Sequence, residues 1–296
     1  MSPELVSVQT ADGVTLHGTF QRPEAGLGPR LGLDCVILHH GAGGNFYNFS
    51  RAFEIIESGL LAQGCAVLRV NSRGHDLLFN SPIGPLGAAF ETVDNCRLDF
   101  KAWIDFAEAS GFRSIVPWGH SLGAVKTIYY MAMAPDARVP CAVAVSPPRF
   151  SYSSFLAKEG AAAFERDYDH AVQLVSGGEP DGLFAIGEPI RSIMSARTYI
   201  DKYGPEERYD ILKFLPQVAV PTLVTVGNES TEGPGHPHWF PFHGLAEKIA
   251  AIATDTPRLT FVHIPEADHS YGAKAEDLWS AARVWFERTA VRAGSV

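Results

Sequence analysis

Ser114-Ile115-Val116-Pro117-Trp118-Gly119-His120-Ser121-Leu122-Gly123 runs from a short apolar, β-rich stretch, through a serine flanked by glycines, into a segment with helical spacing. The pentapeptide Gly119-His120-Ser121-Leu122-Gly123 fits G-x-S-x-G. In a strand-to-helix setting this pattern makes a sharp, strained turn that lifts a serine hydroxyl above a sheet. The pattern alone recurs by chance, as an ordinary turn serine. Here the context is right, because a strand-like run precedes it and residues 122–133 read as a helix ending near Pro135.

The same alternation extends in both directions. Residues 4–9 and 14–20 flank Ala11-Asp12-Gly13 and read as a hairpin. Residues 35–39, 66–70, 141–145, 222–226 and 259–264 are short apolar runs that read as buried strands. Between them, residues 46–62, 241–253 and 276–290 read as helices, and residues 91–109 place Val93, Cys96, Phe100, Trp103, Ile104 and Ala107 at helical spacing. Strands alternating with helices predict an α/β fold with a mostly parallel central sheet. From 149 to about 215 the strand rhythm stops, and the stretch looks helical and rich in aromatics. The expected organisation is therefore a core of residues 1–148 and 216–296, interrupted by a helical lid, or cap, at 149–215. Ligand sites in open α/β sheets lie at the carboxyl ends of the strands, so an insertion leaving such an end would cover the site.

Composition narrows the function. The net charge of −9 argues against a nucleic-acid partner, which needs a basic patch. No apolar stretch approaches a membrane span, and the N-terminus has no secretory pattern, so the expected location is cytoplasmic. Cys35, Cys65, Cys96 and Cys141 have no CxxC spacing and read as small buried hydrophobes. No cofactor motif is present; His39-His40-Gly41-Ala42-Gly43-Gly44-Asn45 is glycine-rich, but no Gly-Lys-Ser/Thr follows to make it a phosphate loop.

A serine nucleophile needs a base, an orienting acid and two N–H donors for the developing oxyanion. His269, in Ala267-Asp268-His269-Ser270, follows the last strand and precedes the last helix, which singles it out among 11 histidines as the base. Asp268 is too close in sequence to orient that ring and reads as a turn residue. The acid is expected after strand 222–226, where Gly227-Asn228-Glu229-Ser230-Thr231-Glu232 holds no aspartate. Glu229 is the first choice and Glu232 the second, with Asn228 or an acid from elsewhere remaining open. One oxyanion donor is the N–H of Leu122; the other comes from the glycine-rich loop, with Ala42 ahead of Gly43. His236 and His238 would reach a metal only if a third ligand joined them, so no metal site is expected.

Taken in order, the His40-Gly41 loop, Asn71-Ser72-Arg73-Gly74-His75, the pentapeptide around Ser121, and Ala267-Asp268-His269 resemble the α/β-hydrolase superfamily over nearly the whole chain except 149–215. The resemblance implies an esterase-like serine hydrolase with Ser121 as nucleophile, His269 as base, and the N–H groups of Ala42 and Leu122 as the oxyanion hole. Two positions depart from the usual pattern: the expected acid, Glu229, is a glutamate, which the family has less often than aspartate, and Asp76 follows Arg73-Gly74-His75 where a glycine is usual. A weaker similarity is to esterases that hydrolyse siderophores, although no motif is diagnostic of that substrate. The same constellation serves thioester, lactone, amide and carbon–carbon cleavage and acyl transfer, and a receptor can retain the fold without catalysis. The expected partner is a small acyl substrate with an apolar or aromatic part, provided the aromatics of 149–215 face it rather than form that segment's own core.

Overall fold

The computed structural model describes residues 2–48, 50–227, 236 and 239–293. The chain begins with a hairpin of β1 (Glu4–Gln9) and β2 (Thr15–Gln21), turned at Asp12-Gly13 with Gly13 at φ 86°. The fully buried β3 (Cys35–His39) follows, then α1 (Arg51–Ala62), β4 (Ala66–Val70), and a small hairpin of β5 (Phe79–Ser81) and β6 (Gly84–Leu86). Helix α1 starts later than the spacing of 46–62 predicts. Asparagine side chains hold the preceding residues instead: the Phe46 N–H donates to Asn71 Oδ1 and the Asn48 N–H to Asn45 Oδ1, both at 2.8 Å. Such bonds compete with a helix for backbone donors.

After a 3₁₀ turn at Val93–Asn95 come α2 (Cys96–Ala109), β7 (Ile115–His120), α3 (Leu122–Met133) and β8 (Ala142–Val145). The stretch before the next sheet strand contains α4 (Tyr152–Leu156), α5 (Ala161–Ser176), the hairpin β9 (Leu183–Ile186) and β10 (Ser192–Ser195), α6 (Ala196–Tyr203) and α7 (Ile211–Phe214). The small hairpin departs from the all-helical reading. Its strands, four residues each, are too short to carry a visible alternation. The chain closes with β11 (Thr222–Val226), α8 (Trp239–Phe242), α9 (Leu245–Asp255), β12 (Leu259–His263) and α10 (Ala275–Ala293).

Eight strands form one sheet in the order β1-β2-β4-β3-β7-β8-β11-β12. Two pairs, β1–β2 and β2–β4, are antiparallel. The other pairs are parallel, so strands β3, β7, β8, β11 and β12 all end at one edge. Side chains alternate across the sheet. Cys35 and Ile37 of β3 join the core under α2 and α3, while Val36 and Leu38 join the core under α1 and α10. All four cysteines are buried and free. The aromatics of the β8–β11 segment pack on one another, with Phe155–Phe164 and Tyr199–Tyr203 ring centres 5.2 and 5.1 Å apart. Phe150, Phe155, Phe164, Tyr199 and Tyr203 are buried, in one cluster with the core under α2 and α3, and Phe155 and Phe164 also pack on Phe240 of α8.

Candidate active site

Ser121 sits at the turn between β7 and α3 with φ 55° and ψ −122°. That left-handed backbone is costly for a residue with a side chain, of order 1–3 kcal/mol, and persists only where the surroundings over-determine it. Here they do. The Ser121 N–H donates to Val145 O of β8 at 2.9 Å, and its carbonyl accepts from Ala124 and Val125. A Cβ on Gly119 would lie 2.1 Å from Gly123 O, and one on Gly123 would lie 2.5 Å from His40 O. The two glycines of the pentapeptide are therefore there for backbone contact, which lets the turn close against the loop after β3.

That loop, His40 to Asn45, lies against the serine. A Cβ on Gly41 would come within 2.9 Å of Ser121 Cβ and 3.4 Å of its hydroxyl. Leu122 opens α3, where the first-turn N–H groups have no helical acceptor. His40 Nε2 accepts the Ser72 N–H at 3.0 Å, which leaves the ring proton on Nδ1 to be donated to Gly41 O at 2.6 Å. Burial, reinforced by the Lys126 charge, pushes His40 down to about 4, so the ring is neutral at ordinary pH.

His269 follows β12. Its ring stands 4.9 Å from that of His120 and 5.2 Å from that of Phe242. Ser121, His269, Gly41 and Ala42 line one cavity of about 340 Å³, together with Asn45, Phe53, Phe242 and Ile190. Ile190 is the β8–β11 segment's contribution to that lining. Asp268 accepts the Gly272 N–H at 3.0 Å and its carbonyl accepts from Tyr271, so it shapes the turn. Glu229, Glu232 and Asn228 lie outside the described residues. Gly227, where the described chain leaves β11, is packed against Ala267: a Cβ there would be 2.4 Å from the Ala267 carbonyl oxygen. The end of β11 therefore lies beside the loop of His269.

Two features of the site have no signature in the sequence, and a third, Asp76, shows there only as a departure from the usual glycine. His120 donates to the main-chain oxygen of His269. Tyr271, buried at φ 55°, places its hydroxyl 3.2 Å from Ser146 Oγ and 3.1 Å from Thr225 Oγ1, pinning the same loop to the ends of β8 and β11. Asp76 adopts φ 54°, the conformation for which a glycine is usual, and its carboxylate accepts from Asn45 Nδ2 at 2.7 Å and from Tyr47. The unusual residue after Arg73-Gly74-His75 thus ties that loop to the one beside Ser121. Among the described residues no group of three or more His, Cys, Asp or Glu could hold a metal ion; His238 lies outside them. No helix among them is long and apolar enough to cross a membrane.

A mostly parallel sheet with a strained serine on the strand-to-helix turn at its carboxyl edge defines an α/β-hydrolase fold. The profile of the alpha/beta hydrolase family matches residues 36–294, and the chain belongs to that family. No curated protein sequence matches it. Among solved structures it is similar to Est1E from Butyrivibrio proteoclasticus with ferulic acid bound (17% identity, 96% of this chain and 99% of that one, TM-score 0.64). It is similar also to the esterase Pf2001 of Pyrococcus furiosus (17%, 97% and 92%, 0.60) and to the α/β hydrolase GrgF from Penicillium sp. sh18 (14%, 98% and 100%, 0.67). Likeness at these identities concerns the fold.

Proposed function

We propose that the chain is a serine hydrolase that cleaves a carboxylic ester through an acyl-enzyme. The observation that carries the reading is Ser121, held at φ 55° in one cavity with His269 and the Gly41–Ala42 peptide. Ser121 Oγ attacks the carbonyl carbon and its proton passes to His269. The carbonyl oxygen, now an oxyanion, takes the N–H groups of Ala42 and Leu122. Collapse breaks the ester bond, and the leaving alcohol takes the proton from His269. Water, deprotonated by His269, then attacks the acyl carbon; the acid leaves and Ser121 regains its proton. Glu229 orients His269 in this scheme, and the segment between β8 and β11 acts as the lid.

The pocket supports a compact, neutral substrate. Among the described residues its only ionisable lining groups are histidines, of which His40 is neutral, and Phe53, Phe242 and Ile190 supply apolar walls. That a similar structure, Pf2001, is named as an esterase supports ester cleavage over the related acyl reactions. The test is a fluorophosphonate probe with p-nitrophenyl esters of short acids. Folded protein should be labelled at Ser121, and Ser121→Ala should lose both labelling and turnover. Unimpaired turnover in Ser121→Ala would sink the reading.

A further inference from the structure

Behind the loop of Gly41 and Ala42 lies a set of buried charges that the hydrolytic steps above do not use. The side chains of Glu91, Lys126 and Lys202 are each 1% exposed. Lys126 comes from α3, the helix that begins at the serine; its Nζ pairs with Glu91 and donates to Ser72 Oγ at 2.9 Å. Lys202 comes from α6 in the β8–β11 segment and stands 3.7 Å from the other oxygen of Glu91, an ion pair without a hydrogen bond. Gly74 makes room for the carboxylate, since a Cβ there would lie 2.2 Å from Glu91 Cδ.

Burying two ammoniums and a carboxylate is expensive, and well-packed apolar residues of the same volume would be as stable or more so. Burial favours the neutral form of Lys202, and its pKa is lowered despite the pull of Glu91. Stability therefore does not account for the cluster, whereas its connections do. An ammonium only donates, so Ser72 Oγ accepts from Lys126 and its own proton is free for His40 Nε2, 3.3 Å away. The Ser72 N–H donates to the same nitrogen. Both bonds hold the His40 proton on Nδ1, which grips the Gly41 carbonyl. A trans peptide is planar, so a fixed Gly41 C=O aims the Ala42 N–H in the opposite direction.

We propose that Glu91, Lys126 and Lys202 are positioning residues: a buried ion cluster, completed by a lysine of the β8–β11 segment, that orients the Ala42 N–H through Ser72 and His40. The proposal rests on the reading of Ala42 as an oxyanion donor. It makes the geometry of that donor depend on the segment being seated, because withdrawing Lys202 leaves Lys126 to hold Glu91 alone.

The test uses the full chain and three variants: Ser72→Ala, Lys202→Met and Lys202→Arg. Removing an oxyanion donor outright costs about 10²–10³ in kcat, and loosening one should cost less. Ser72→Ala and Lys202→Met should each lower kcat about tenfold with KM within about twofold. Inactivation by a fluorophosphonate, which passes through a similar oxyanion, should slow by the same factor, and Lys202→Arg should restore most of both rates. Ser72→Ala removes one oxygen, and circular dichroism checks that it remains folded. Wild-type kcat and labelling rates in folded Ser72→Ala, or a loss that falls only on KM, would overturn the proposal. Failure of the unsubstituted protein to be labelled at Ser121 would instead overturn the hydrolase reading.

Discussion

The His120 imidazole donates its Nε2 proton to the main-chain carbonyl oxygen of His269 across 2.8 Å. A carbonyl only accepts, so the tautomer of His120 is fixed by this bond. The variable residue before Ser121 therefore holds the loop that carries the candidate base, and two segments 149 residues apart in sequence are locked at the serine.

His120→Ala should loosen that loop. A hydrogen bond of this kind is worth about 1 kcal/mol net, which corresponds to about a fivefold loss of kcat on p-nitrophenyl acetate. His120→Gln, whose amide N–H reaches the position of Nε2, should recover most of the rate. Equal rates in both variants would show that the bond does not position His269.

Tyr271→Phe should act on the same loop through stability. Its hydroxyl serves Ser146 and Thr225, both buried. Leaving such groups short of a partner costs about 1–3 kcal/mol, which for a domain of this size lowers Tm by roughly 2–6 °C. Differential scanning calorimetry reads this directly, and an unchanged Tm would mean that Ser146 and Thr225 find other partners.

Glu229→Gln should lower kcat strongly while Glu232→Gln leaves it near the parental value. Amidation keeps the shape of the side chain but removes the charge that stabilises an imidazolium. Steady-state rates of the two variants decide, and the reverse pattern would transfer the role to Glu232.

How far the sequence revealed this site follows from the physics of each part. Ser121, Leu122 and the strand before them were legible because the strained turn demands Gly119 and Gly123 in contact with fixed backbone, and the demand leaves a pattern. The loop at Gly41 was legible for the same reason. His269 could be placed by chain order, since β12 and α10 bracket it. Tyr271, the reach of His120 and the ion cluster at Glu91 were not legible, because each joins residues brought together only by sheet order: Lys126 from α3, Glu91 from the loop before α2, Lys202 from α6. The late start of α1 was hidden too. Residues 46–48 have helical spacing, and only the nearness of Asn71, from the end of β4, shows where the Phe46 N–H goes.

Acid should destabilise the fold, and the sign of the effect follows from burial. His39 is stacked on Phe100, ring centres 3.7 Å apart, and among the described residues neither of its ring nitrogens is hydrogen-bonded. Burial, then the nearby His40 and Lys126, holds its pKa well below the ordinary value, and burial pushes His40 down to about 4. As pH falls through 6.5, the unfolded chain therefore takes up protons that the native state refuses, and stability is lost between pH 6.5 and about 4. For His40 alone the loss over that window is about 3 kcal/mol as an upper order of magnitude. Other groups oppose the trend: burial raises Asp99 and Asp201, which then favour the native state as pH drops. Glu207, held down at about 2 by hydrogen bonds from Ser151 and Ser153 against the effect of burial, weighs in only below its unfolded value of 4.5. The total slope is thus a sum, and a difference isolates one member. His39→Phe keeps an aromatic ring against Phe100 and removes the titrating group. Urea denaturation at pH 7, 6 and 5 should give a shallower fall in unfolding free energy for His39→Phe than for the unsubstituted protein. Parallel slopes would mean that His39 gains a proton as readily in the native state as in the unfolded chain.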